Sequence, residues 1–343
     1  MTALIKGPDL LSPSALFVTG LAGTERPVVL GDDHTVSGRL LLDQVRLFGR
    51  ALTEFGPCRL AVFTSRAENV LAAIGACIHN GCELILLRDA CTLEHPLLHE
   101  AHVSALFDND LKLIARGAGQ RAEKPGLIIP TKDGTRLVLQ DMDALLARVP
   151  RLKGAGCWLL TEPPASFAGL QVLLSAFASS GIVLSYREMP VPQLAQRAIA
   201  HQVSHISGTP VLFRSLLRAL KEQQGKAAFK HVTVLEEIAP APLLEELRAT
   251  FPKARVTQVY GSPEGGILFS VHDGLPGLPA EWLAQGVDGC ELRISEGRLE
   301  VLSPGIMRGY IGKPGVLPRS PEGWFKPGYA AVLEGNRVLL RSA

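Results

Sequence analysis

Apolar, strand-like runs alternate with helical stretches along most of the chain, as far as Tyr260. The runs RLAVFT (Arg59–Thr64) and ELILLR (Glu83–Arg88) are short and rich in branched apolar residues, as buried strands are. Between them, Ala67–His79 reads as a helix that ends at Asn80 and Gly81. Such alternation predicts βαβ units, in which helices cover both faces of a largely parallel sheet.

The same alternation continues on both sides of Gly126. The first series is completed by a helix over Leu93–His102 and a short strand over Ser104–Asp108. In the second series we predict strands at LIIP (127–130), Cys157–Leu160, Gly181–Tyr186, Val232–Glu237 and Arg255–Tyr260. The predicted helices of that series are Met142–Arg148, Phe167–Ala178, Val191–His201, Val211–Gln223 and Pro242–Phe251.

The pattern changes after Gly261, where the runs ELRIS, RLEVL, GYIG and RVLLR are separated by Gly/Pro turns. Such spacing predicts a small antiparallel unit. The Gly/Ala-rich stretch Arg116–Gly126 is typical of a joint between subdomains. We therefore expect an α/β protein of two largely parallel α/β subdomains plus a small β-rich one, with borders at 1–125, 126–262 and 263–343.

Composition narrows the classes of function. A chain of 343 residues can bury a large core, and its net charge of +2 without a basic cluster argues against a nucleic-acid binder. None of the six cysteines has C-x-x-C spacing, which argues against a zinc ribbon or a thioredoxin-like site. The N-terminus lacks the pattern of a signal peptide, and the most apolar window, Val70–Leu87, contains polar residues. We expect a cytoplasmic protein without a membrane span.

Three segments in fixed order carry a resemblance to a known family. They are YGSPEGG, which follows a predicted strand, then GRLEVLSPGIMRGYIG, and then GWFKPGYAAVLEGNRVLLR. Their order and spacing resemble those of the adenylate-forming superfamily, which includes acyl- and aryl-CoA synthetases, peptide-synthetase adenylation domains and luciferases. The resemblance covers nearly the whole chain and implies the N-terminal core of that fold. It also implies activation of a carboxylic acid by ATP to an acyl-adenylate, with transfer to CoA or a carrier-protein thiol (phosphopantetheine).

The resemblance also implies site residues. Tyr260, Gly261 and Ser262 would hold the adenylate, Glu264 would bind magnesium, and Arg341 would contact the ribose or a phosphate. The phosphate loop falls at 130–147 and keeps Thr131, Gly134 and Thr135, although a plain β-turn at Lys132–Thr135 fits these residues as well. A pocket for the acid would be lined by Phe167, Gly169 and Gly261, with ordinary helix-on-sheet packing as the alternative.

Several family positions differ here. Pro263 replaces a threonine that contacts phosphate, Tyr329 replaces an aspartate that grips the ribose, and Glu237–Ile238 replace two glycines beside the adenine. In the family, Arg341 would be followed by a C-terminal domain that carries a lysine, so we assign no catalytic residue. Two hypotheses follow. The protein is a ligase, in which the lysine comes from a separate protein or is dispensed with, or it is a non-catalytic relative that binds an acyl or aryl ligand, a carrier protein or a partner enzyme.

Overall fold

The computed structural model describes residues 24–32, 34–185, 189–312 and 319–342. The N-terminal segment expected to lack a signal peptide, and Tyr186 at the end of a predicted strand, lie outside these ranges. The strands are β1 (Pro27–Leu30), β2 (Thr35–Ser37), β3 (Arg59–Phe63), β4 (Glu83–Leu87), β5 (Ala105–Phe107), β6 (Leu113–Arg116), β7 (Gly126–Pro130), β8 (Leu137–Asp141), β9 (Cys157–Leu160), β10 (Ile182–Ser185), β11 (His205–Gly208), β12 (His231–Val234), β13 (Arg255–Ser262), β14 (Gly266–Val271), β15 (Leu278–Pro279), β16 (Glu291–Ser295), β17 (Arg298–Leu302), β18 (Gly309–Tyr310), β19 (Tyr329–Glu334) and β20 (Arg337–Ser342). The helices are α1 (Gly38–Leu52), α2 (Ala67–Asn80), α3 (Pro96–Glu100), α4 (Met142–Ala147), α5 (Phe167–Ala178), α6 (Val191–Ala200), α7 (Pro210–Lys221), α8 (Ala241–Thr250) and α9 (Trp282–Gln285).

The first sheet has the strand order β18-β8-β7-β4-β3-β5-β6. Its centre, β7-β4-β3-β5, is parallel, and β8, β18 and β6 join antiparallel at the sides. One apolar core contains side chains of this sheet, such as Leu60, together with Val183 of β10 and residues of α2 and α5. Helices α2 and α5 thus lie in a core that the first sheet shares with the second.

The second sheet has the order β14-β13-β12-β11-β9-β10-β1-β2. Strands β13 to β1 in that order are parallel, and the two outermost strands are antiparallel. Its other face is covered by α6, α7 and α8, whose side chains form a core with residues such as Leu159 and Leu184. The predicted α/β class with largely parallel sheets is therefore confirmed.

The third sheet is small and antiparallel, with the order β15-β20-β19-β17-β16. Its core joins Leu292 and Leu299 to Tyr260 and Phe269 of the second sheet. The hairpin β13–β14 thus contributes side chains both to the second sheet and to the core of the third.

The sheets do not divide where the sequence places the borders. Strand β7 pairs with β4, so residues after 125 still belong to the first sheet, while β1 and β2 belong to the second. The GYIG run, expected in the small unit, instead forms β18 and pairs with β8 of the first sheet. The expected helix over Leu93–His102 shortens to α3, because the His95 side chain caps it and His102 adopts a φ of 48°. Local sequence patterns specify where a strand forms, whereas the strand with which it pairs depends on contacts between residues distant in sequence.

Two histidines stack face to face at the amino ends of β11 and β12. The ring centroids of His205 and His231 are 4.6 Å apart, and His205 also stacks on Trp158 at 4.1 Å. His205 is only 5% exposed. Burial, with smaller contributions from the nearby His231 and Lys230, lowers the pKa of His205 to about 4. The folded protein therefore holds this ring neutral at pH values where the unfolded chain protonates it.

We expect acid to destabilise the protein through His205. The pKa in the unfolded chain is about 6.5, so the stabilisation is complete above that pH and is lost as the pH falls towards about 4. The loss attributable to His205 should be about 2–3 kcal/mol. Urea unfolding at pH 7.5 and pH 4.5 measures this loss of unfolding free energy in the wild type and in His205→Phe. The variant keeps an aromatic ring between Trp158 and His231 but cannot titrate. An equal loss in both proteins would contradict the assignment.

Candidate functional site

A cleft of about 980 Å³ opens at the carboxyl ends of the parallel strands. Its wall is built from segments that follow β4, β7, β9, β12 and β13, together with Pro327 and Tyr329. Ligands of open α/β sheets bind at this end of the strands. Of the residues predicted from the sequence, those that line the cleft are Thr131, Gly134, Phe167, Gly261, Ser262 and Glu264.

The segment predicted as a phosphate loop is a tight turn between β7 and β8. The amide of Thr131 donates to the carbonyl of Arg136 at 2.8 Å, and the amide of Gly134 donates to the carbonyl of Thr131 at 2.8 Å. The Thr131 hydroxyl and the Thr135 amide both donate to the Asp133 carboxylate. These bonds, the Thr131 hydroxyl first, lower the pKa of Asp133 to about 2. The turn thus uses its own donors internally and places a negative charge beside the cleft, as the β-turn interpretation predicts.

Glu264 lies at the turn between β13 and β14 and is fixed there by three contacts. The Met307 amide donates to its carbonyl at 2.8 Å, and the Gln140 side chain donates to the preceding carbonyl of Pro263. The Tyr310 hydroxyl donates to Glu264 Oε1 at 3.2 Å. Burial and then the charge of Glu264 raise the pKa of Tyr310, so this hydroxyl keeps its proton. A carboxylate oxygen held in a cleft suits magnesium, which takes one or two carboxylates plus substrate phosphates.

No group of three or more metal-binding side chains is assembled in the part of the chain that the structure describes. A magnesium ion at Glu264 would thus have at most two such ligands from the described residues, and phosphate oxygens or water would have to complete its octahedral shell. The donor set fits an ion that arrives with a nucleotide.

Tyr260 does not line the cleft. It is 3% exposed, and its ring lies 5.1 Å from that of Phe269 and 5.8 Å from that of Tyr329, which meets it edge-on. Tyr329 itself lines the cleft, so it covers the ring that was expected to contact the adenylate. The physical reason is packing, because the rings of Phe269 and Tyr329 enclose Tyr260.

The two predicted pocket residues of α5 have different roles. Phe167 lines the cleft, whereas Gly169 is buried behind it. A Cβ on Gly169 would lie 2.0 Å from the carbonyl oxygen of Pro163, so only glycine lets α5 approach the end of β9 this closely. Ser166 caps the helix by accepting a hydrogen bond from the Gly169 amide at 3.1 Å. Gly169 therefore shapes the pocket wall that Phe167 presents.

Two further predicted residues lie outside the cleft. Arg341 is exposed on β20 opposite Ala330, and it is absent from the cleft wall. The structure therefore does not bring it to the other predicted adenylate contacts. Thr135 is exposed on the turn after β7 and does not line the cleft, whereas the two other residues predicted in this loop, Thr131 and Gly134, do.

Two carboxylates that follow strands of the second sheet, Glu162 and Glu236, line the cleft and were not predicted from the sequence. Glu162 follows β9, and burial, followed by the charge of Glu236, raises its pKa to about 7, against the opposing effect of Lys132. Glu236 follows β12 with a φ of 67°, and its Oε2 lies 3.8 Å from Lys132 Nζ. The glycine positions were matched to Glu237–Ile238, yet Glu236 is the one that faces the cleft, while Ile238 packs on the core of the third sheet. Their position just after predicted strands is the sequence signal that could have identified them as cleft residues.

The matching family model is that of the AMP-binding enzyme, which covers residues 138–311, slightly more than half of the chain. The chain belongs to the AMP-binding enzyme family, and the predicted resemblance to the adenylate-forming superfamily is confirmed.

The relatives agree with this family. Two Mycobacterium tuberculosis strains, CDC 1551 / Oshkosh and H37Rv, each have a protein named "Probable 2-succinylbenzoate–CoA ligase" that is 26% identical in an alignment of 262 residues, which covers 72% of this chain. The match spans 62% of the length of these curated relatives.

Solved structures agree with the fold. The O-succinylbenzoate coenzyme A synthetase of Bacillus subtilis, solved in complex with AMP, matches with a TM-score of 0.75 at 17% identity, over 95% of this chain and 97% of that chain. A nonribosomal peptide synthetase, FmoA3, matches with a TM-score of 0.79 at 15% identity, over 97% of this chain and 42% of that chain.

Helices long and apolar enough to cross a bilayer are absent from the ranges that the structure describes.

Proposed function

We propose that this protein activates a carboxylic acid, acyl or aryl, as an acyl-adenylate for transfer to the thiol of CoA or of a carrier protein. The observation that carries the proposal is the Glu264 carboxylate, held by Tyr310 in a cleft that also contains Thr131 and Gly261. The names of the relatives in Mycobacterium tuberculosis and Bacillus subtilis, both acid–CoA ligases, support the same reaction class. The proposal places the protein in the cytoplasm, where ATP and thiol acceptors are available.

In this reaction, one part of the cleft binds the acid and another binds the magnesium ion that accompanies ATP. Phe167, Ala165 and Pro163 offer an apolar surface for the tail of the acid, next to Gly261. An oxygen of the acid's carboxylate attacks the α-phosphorus of ATP, the bond to the bridging oxygen breaks, and pyrophosphate leaves with that electron pair. Magnesium, when bound with the nucleotide, would neutralise phosphate charge. Glu264 would hold that ion through one carboxylate oxygen, while Tyr310 keeps the carboxylate oriented.

A second candidate is a non-catalytic relative that binds an acyl or aryl ligand, a carrier protein or a partner enzyme. Tyr329 favours it, because its ring covers Tyr260 and offers no carboxylate to the ribose. The carboxylates of Asp133 and Glu236 favour it as well, since they line the cleft and oppose a triphosphate. In this case the apolar wall around Phe167 would still bind the acid.

Glu264→Gln separates the two candidates. In the ligase, we expect the wild type to bind ATP–Mg with micromolar affinity. We expect the variant to exchange pyrophosphate into ATP about 10²–10³ times more slowly, because an oriented charge at the reacting phosphates is lost. Calorimetry with ATP–Mg and AMP, and an exchange assay run with a panel of carboxylic acids, measure both quantities. Glu54→Gln, an exposed glutamate far from the cleft, is the matched control.

The contrary result is equally clear. A folded wild type that binds neither ATP–Mg nor AMP at millimolar concentration would refute the ligase. Binding of a carboxylic acid by the same preparation would then support the non-catalytic candidate.

A further inference from the structure

Three Lys or Arg side chains line the cleft, and two of them are paired with protein carboxylates. Arg88 Nε lies 3.4 Å from Asp89 Oδ1, and Lys132 Nζ lies 3.8 Å from Glu236 Oε2. The third, Arg136, makes neither an ion pair nor a side-chain hydrogen bond with any residue in the described ranges. Arg136 lines the cleft, and the five N–H donors of its guanidinium have no protein acceptor among the described residues.

Arg136 is nevertheless held in place. Its amide donates to the Thr131 hydroxyl at 3.1 Å, and its carbonyl accepts from the Thr131 amide at 2.8 Å. Its guanidinium carbon lies 4.3 Å from the centre of the Tyr310 ring. A cation over an aromatic face is attracted to it, and the stacking limits the rotamers of a long side chain. The side chain is thus oriented before any ligand arrives, which lowers the entropy cost of binding.

Neither of the two nearby carboxylates forms an ion pair with Arg136 in the described ranges. Asp133 is in the same turn, but its carboxylate accepts hydrogen bonds from the Thr131 hydroxyl and the Thr135 amide. Glu264 accepts from the Tyr310 hydroxyl, on the ring that carries the guanidinium. A fixed cation beside these two acids can still form short, paired bonds with an incoming anion, because a planar guanidinium fits the two oxygens of a carboxylate or phosphate.

We propose that Arg136 is the anion-binding residue of the cleft and contacts either a phosphate of the nucleotide or the carboxylate of the acid. The choice of these two ligands rests on the proposed function, and the anion site itself does not. In this arrangement Tyr310 serves two groups at once, since its ring supports Arg136 and its hydroxyl orients Glu264. Loss of the hydroxyl alone should therefore leave the anion affinity intact.

Calorimetry with four probes tests the assignment: inorganic pyrophosphate, AMP, benzoate and octanoate. We expect Arg136→Gln to lower the affinity for the anion that Arg136 binds by about 10- to 100-fold, because charge-assisted hydrogen bonds are lost. Arg136→Lys should restore part of the affinity, because it keeps the charge and loses the planar pairing. A loss confined to pyrophosphate and AMP identifies the phosphate, and a loss confined to benzoate and octanoate identifies the carboxylate.

The controls separate this assignment from the proposed function. Arg46→Gln removes a positive charge from an exposed helix face and should change no affinity. Tyr310→Phe should keep the affinity for the anion while weakening the magnesium dependence of ATP binding. Equal binding of every probe by the wild type and Arg136→Gln would overturn the role of Arg136, even if acyl-adenylate formation is observed. Arginine-dependent binding without any ATP–pyrophosphate exchange would support it and refute the ligase. Binding of no probe by the wild type would overturn it.

Discussion

Glu83→Ala is expected to lower the free energy of unfolding by about 3–5 kcal/mol, because it leaves buried positive charge without a partner. Arg59 Nε and Nη2 both donate to Glu83 Oε2, at 2.9 and 2.7 Å, and the two residues are 5% and 4% exposed. Glu83 Oε1 also lies 3.4 Å from Arg308, which precedes β18. The pair therefore ties the start of β3 and β4 to the segment that leads to Tyr310.

Glu54→Ala is the matched control for this measurement. Its partner Arg116 lies 2.8 Å away, nearly as close as Arg59 lies to Glu83, but the two side chains of that pair are half exposed. An exposed pair contributes about 1 kcal/mol or less. Urea unfolding measures the loss of unfolding free energy in Glu83→Ala and in Glu54→Ala. Losses of similar size would contradict the role assigned to the burial of Glu83.

Gly169→Ala is expected to destabilise the protein by about 1–3 kcal/mol and to disturb the cleft as well. The added Cβ would lie 2.0 Å from the Pro163 carbonyl oxygen, 2.7 Å from its carbon and 2.9 Å from the carbonyl oxygen of Glu162. These are main-chain atoms, so either α5 or the end of β9 must move. Such movement displaces Phe167 and Glu162, both of which line the cleft.

Gly309→Ala controls for the loss of glycine itself. A Cβ at Gly309 meets no atom within 4 Å, so the stability of Gly309→Ala should differ little from that of the wild type. Chemical unfolding, together with calorimetric titration of benzoate and octanoate, measures both consequences of the change at Gly169. Unchanged stability in Gly169→Ala would refute the close approach of α5 to β9.

Local structure near the site was predictable because its determinants are neighbours in sequence. The bounds of Phe167–Ala178 were predicted and confirmed, since Ser166 supplies the cap and apolar spacing supplies the buried face. Gly261 was predicted to hold the adenylate and lines the cleft, and a Cβ at this position would lie 2.6 Å from the carbonyl oxygen of Gly266. Pro263 was expected to remove a phosphate contact, and the turn there uses its carbonyl to accept from Gln140.

Other features were not predictable, because their partners are far apart in the chain. Tyr329 was identified as a lost ribose contact, but nothing in its segment indicates that its ring covers Tyr260. Arg341 and Tyr260 match family positions, yet packing leaves one on an exposed strand and buries the other. The pairing of β18 with β8 joins segments about 170 residues apart, and no local pattern specifies such a partner.

The sequence alone determined the family, the α/β class and the residues that shape the backbone at the cleft. Glycine, proline and capping side chains act on their own neighbourhood, so their effects can be read locally. Only the tertiary structure decided which charged groups share the cleft. Glu162, Glu236 and Arg136 come from three different strand ends, and they meet because parallel strands end at the same edge of their sheets. The raised pKa of Glu162 depends on that meeting, because its causes are burial and the charge of Glu236, and so it is a property of packing.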